Sequence, residues 1–172
     1  MAFLITEPFC YSQQIDATTT ATTVDGATRT DVPLGTIVRA QDPTYGVGEF
    51  IYLLGVASTV VGSVVVIDAG VFGTTLASAN AKGQIALAMS INVASQYGWY
   101  QISGFGVAKV LTGFADGALC YLTSTAGSVD DTAVTGDLVH GMVGTSAIAT
   151  PSAGLAEVSI SRPIVTDTDA VS

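Results

Sequence analysis

Nineteen glycines punctuate this chain of 172 residues. Between them stand apolar runs of only about five to eight residues, many of them Val and Ile. A run that short, rich in β-branched residues and bounded by turn formers, is a strand signal, whereas a helix needs a longer period-3.6 pattern. Strand candidates follow one another at residues 35–40, 49–56, 63–68, 84–90, 98–111 (broken by Gly104 and Gly106), 118–124, 137–145 and 155–162. The 49–56 strand follows a turn-like stretch, Asp42-Pro-Thr-Tyr-Gly-Val-Gly48. Helix signals are confined to 76–81 and 91–96, one or two turns each. The expected fold is mainly β: a compact antiparallel β-barrel or β-sandwich, with an extended N-terminal arm and at most one or two short helices. The expected divisions are an arm at 1–35, a β domain at 36–165 and a flexible tail at 166–172.

Alternation refines this reading. In the last strand Ala156, Val158 and Ile160 share one face and Glu157, Ser159 and Ser161 the other, the pattern of a half-buried antiparallel strand. Phe50-Ile-Tyr-Leu-Leu54 is apolar on both faces, so it is covered on both sides, either within the domain or by another subunit. In the strand around His140, Leu138, His140 and Met142 fall on one face. The first forty residues are of another kind. The tract Thr18-Thr-Thr-Ala-Thr-Thr23 has Asp16, Asp25, Asp31 and Pro33 around it and few large apolar residues. It cannot bury much surface alone. Its apolar start, with Phe3, Ile5, Phe9 and Tyr11, reads as an arm that orders against a partner.

Composition then excludes whole classes of function. Five Lys+Arg stand against 14 Asp+Glu, a net charge of -9. A nucleic-acid binder needs a basic footprint to release counterions from phosphates, and five scattered cations do not make one. Charged residues are 11% of the chain and hydrophobic ones 49%, the reverse of a disordered composition. The mean hydropathy of +0.56 raises the question of a membrane. Residues 51–67 and 83–108 lack charge, but they carry glycines, Ser, Thr, Asn and Gln, and no Lys/Arg cluster flanks them to set an orientation. The start of the chain has no positive n-region. The expectation is a protein made in the cytoplasm, with no membrane partner and with Cys10 and Cys120 reduced.

No constellation for chemistry emerges. The one histidine, His140, reads as a strand or rim residue rather than a base beside a nucleophile. One His and two distant Cys do not make a transition-metal site. Asp130, Asp131 and Asp137 lack a calcium-loop register and read as solvated loop residues. Gly104-Phe-Gly106 begins like a dinucleotide fingerprint, but Lys109 stands where the third glycine belongs and no helix follows. No catalytic residue, cofactor or metal is therefore expected. The cluster Tyr97-Gly-Trp-Tyr100 is the local feature that stands out. Large aromatics either fill cores or anchor interfaces. Interface candidates are Phe3, Ile5, Phe9, Tyr11, Tyr52, Tyr97, Trp99 and Tyr100.

The run Lys82-Gly-Gln-Ile-Ala-Leu-Ala88, then Gln96-Tyr-Gly-Trp-Tyr-Gln-Ile-Ser-Gly104 and Gly106-Val-Ala108, resembles tailed-bacteriophage capsid decoration (cement) proteins. So do the turn and strand Asp116-Gly-Ala-Leu-Cys-Tyr121, the strand Val139-His-Gly-Met-Val-Gly144 and the closing strand Ala156-Glu-Val-Ser-Ile160. The resemblance covers roughly residues 82–165. It implies a small β-rich protein on the outside of a phage head, commonly a homotrimer, whose partners are the major capsid protein and its own copies. It implies no enzyme activity. The alternative expectation is a head-fibre or tail-associated module that binds a receptor or glycan through Tyr97, Trp99 and Tyr100.

Overall fold

The computed structural model describes residues 4–5, 14–20, 22–24, 27–30 and 32–166, with the backbone alone at 4–5, 22–24 and 27–29. The described residues form fourteen strands and no helix. In order they are β1 (Leu4–Ile5), β2 (Thr18–Thr20), β3 (Thr22–Val24), β4 (Ala27–Arg29), β5 (Ile37–Asp42), β6 (Gly46–Leu54) and β7 (Val64–Asp68). Then come β8 (Gly73–Leu76), β9 (Gly83–Ala88), β10 (Gln96–Lys109), β11 (Leu119–Leu122), β12 (Val129–Asp130), β13 (Leu138–Gly144) and β14 (Leu155–Val165). All but the β3–β4 hairpin belong to one sheet. Its ladders are antiparallel except for a single parallel β6–β8 pair.

That sheet curls into two rings that share β10. In the first, β6 bonds β8, β8 bonds β7, β7 bonds β9, β9 bonds β10, and β10 returns to β6. Ile51, Leu53, Val65, Ile67, Ala86, Ala88, Tyr100 and Ile102 from these strands form one buried cluster. In the second ring, β10 bonds β14, then β13, β11 and β12, and a bridge from Val110 to Val129 leads back to the end of β10. Ala108, Val110, Cys120, Leu122, Val129, Met142, Val158 and Ile160 belong to its core. Ring closure removes the exposed backbone edges that open sheets present.

β10 changes ring at a bulge. Its register with β6 shifts between Gln101 and Ser103; β9 pairs with Tyr100 and Gln101, and β14 takes over that side from Ser103, which still faces Glu49 of β6. Gly104 sits there at φ +105°, and a Cβ on it would lie 2.7 Å from the Val47 carbonyl. Only glycine combines that backbone angle with that approach. The buried amide of Gln101 satisfies the kink: its Nε2 donates to the carbonyls of Ser103 (3.2 Å) and Phe105 (2.8 Å). The expected break at Gly104 and Gly106 is thus a bend within one continuous strand.

β6 is apolar on both faces because it is a wall between two cores. Ile51 and Leu53 face the first ring's interior, while Phe50 and Tyr52 join a third cluster with Val38, Ala40, Met89 and Trp99. Ile15 and Val32 complete that cluster. Tyr52 and Thr19 hydrogen-bond through their hydroxyls, and Thr18–Thr20 pairs with Gln96–Gly98 of β10. Ile15, Thr18–Thr20 and Val32 of the expected arm, 1–35, therefore lie on the domain, where the two aliphatic residues gain the burial they could not make alone. Leu4–Ile5 pairs with Ala40 and Gln41 of β5. The expected tail lies outside the described residues beyond Thr166.

The two expected helices are corrected. Leu76 ends β8, and the backbone beyond it bonds other strands, Ala77 N to the Val64 carbonyl and Ala79 N to that of Thr123. Residues 91–96 make a bridge, Asn92 to Thr59, and a turn into β10. Asn80 and Ser95 stand at positive φ, which no right-handed helix accommodates. The charge-free stretches 51–67 and 83–108 are strands and turns, and no helix among the described residues is long and apolar enough to cross a membrane.

Candidate interaction surface

The aromatic cluster is placed by β10 and β6, whose register sets Trp99 opposite Tyr52. The rings of Tyr52 and Trp99 meet at 5.1 Å, tilted by 57°, and Tyr97 stacks on Tyr52 at 6.3 Å. Tyr52, Trp99 and Tyr100 have no exposed surface, and Tyr97 is half-buried. Three of these interface candidates are thus enclosed within the protomer and offer no face for a sugar to stack on. Tyr100 points the other way from Trp99, into the first ring, where its hydroxyl accepts from Asn92 Nδ2 (3.1 Å) and lies 3.4 Å from the Thr74 hydroxyl. Burial raises its pKa, partly offset by those hydrogen bonds. Ile5 lies in β1; Phe3, Phe9 and Tyr11 lie outside the described residues.

The uncovered apolar surface is elsewhere, on the outside of the second ring. Leu119 of β11 is the register partner of Val143 on β13, Val143 of Ser159 on β14, and Ser159 of Phe105 on β10. Direct register partners project to the same face. The row extends to β6: Glu49 pairs with Ser103, and two residues further along each strand, on that same face, stand Val47 and Phe105. Val47 is 58% exposed, Phe105 52%, Leu119 50% and Val143 38%, so four large side chains line five adjacent strands with only Ser159 between them. Fully burying such a side chain against a partner is favourable by about 1.5–3 kcal/mol.

Beside this row runs a polar one, Arg39, Glu49, Ser103 and Ser161 in register. Glu49 is bracketed by two arginines. Its Oε2 accepts from Arg162 at 2.8 Å, and its Oε1 from Arg39 at 3.1 and 3.3 Å. The Arg162 hydrogen bond, with that of Arg39 behind it, outweighs partial burial and holds the Glu49 carboxyl below its ordinary value.

The sequence pattern missed the row for a local reason. Gly141, at φ +78°, carries a bulge between His140 and Met142 that inverts the alternation of β13. Met142 is therefore buried and His140 exposed, against the expectation that they share a face, and Val143 turns outward. Val143 and Phe105 could be found only by recognising that the glycines beside them are bulges rather than breaks.

Two of the acidic candidates have structural partners. Asp137 accepts from Asn80 N at 2.6 Å and Asp131 from Ala115 N at 3.0 Å, so both cap loops. Among the described residues no group of three or more His, Cys, Asp or Glu could hold a metal. Cys120 is buried in the second ring, and burial pushes its thiol up to about 12. No family model, curated protein or solved structure matches this chain.

Proposed function

We propose that this protein is a virion structural protein that decorates and stabilises the outer surface of a tailed-bacteriophage capsid. In this reading it acts as a homotrimer, bound to the major capsid protein and to its own copies, with no catalytic step. The observation that carries the proposal is the apolar row of Val47, Phe105, Val143 and Leu119 across neighbouring strands on the outside of the sheet. Contiguous exposed apolar surface marks a place where another protein packs. A clamp on a lattice needs contact area and rigidity, which two closed rings supply. The resemblance of residues 82–165 to cement proteins supplies the kind of partner, and the acidic balance suits an outer rather than a genome-facing position.

The test is binding to heads of the encoding phage that lack their decoration. Native mass measurement should give a trimer, and the bound protein should raise the temperature at which heads rupture. The double variant Phe105→Ser, Leu119→Ser should keep its circular dichroism and lose at least about tenfold in head affinity or in trimer stability. Removing residues 1–13, which spares Ile15 and β2, should also weaken head binding if the N-terminal segment reaches a partner. A monomer with no affinity for heads would overturn the proposal.

A further inference from the structure

We draw no further inference here: the strongest candidate, the exposed aliphatic patch of Val60, Val61, Ile91 and Val93 on the β6–β7 and β9–β10 loops joined by the Thr59–Asn92 bridge, is an apolar face on which nothing in the structure shows what covers it.

Discussion

Gln101 shows how one side chain holds a change of architecture. Its amide closes the carbonyls of Ser103 and Phe105 where β10 leaves one ring for the other. Its Oε1 lies so near Gly106 that a Cβ there would come within 2.2 Å of it. Gln101→Leu keeps much of the volume and strands both carbonyls, so urea unfolding should show a loss of about 1–3 kcal/mol. Gly106→Ala should also destabilise, by displacing that amide. Cys120 illustrates the opposite case, a reactive group made inert. A thiol pushed up to about 12 by burial carries almost no thiolate near pH 8. In a Cys10→Ser background, a thiol-alkylating reagent at pH 8 should leave the folded protein unlabelled and label it only in denaturant. Labelling at the rate of a free thiol would show that the second ring opens readily.

At the scale of elements, strands were legible wherever alternation ran without interruption. In β14, Ala156, Val158 and Ile160 point inward as the pattern dictates. The doubly apolar Phe50–Leu54 stretch was legible as a covered strand, but which bodies cover it was not, because a period-2 pattern does not distinguish two cores of one chain from a core and a neighbour. β8 escaped notice because Gly73-Thr-Thr-Leu76 is too short and too polar to carry a pattern. Its existence depends on β7 and β6 on either side. The Arg39–Glu49–Arg162 tie joins the β5–β6 hairpin to β14, 113 residues further along from Glu49 to Arg162, and no local signal marks it. Its contribution follows from the depressed Glu49 pKa. It is fully present above the ordinary Glu value and is lost as pH falls through the lower folded value. Glu49→Gln should therefore cost about 1 kcal/mol or less near neutral pH in low salt. The deficit should shrink in high salt and vanish at acid pH, as read from denaturant midpoints at several pH values.

For the whole molecule, the surplus of hydropathy over charge was the most telling line of the composition, and its resolution is spatial. Much of the surplus fills three cores, more than one small barrel would hold, and the remainder lies outside in the row from Val47 to Leu119. The sharing of β10 between both rings bears on how this protein comes apart. β14 also bonds β9, and Val64, Ile85 and Leu87 of the first ring's strands pack in the core of the second, so opening either ring strips cover from the other and a half-unfolded form is disfavoured. Calorimetry should show a single transition whose van't Hoff and calorimetric enthalpies agree. Amide exchange should be slowest along β10, through the global opening alone. Two separate melting steps would mean that the rings are independent. A protein that fails only all at once behaves under load as a rivet rather than a hinge, holding its shape until the whole of it yields.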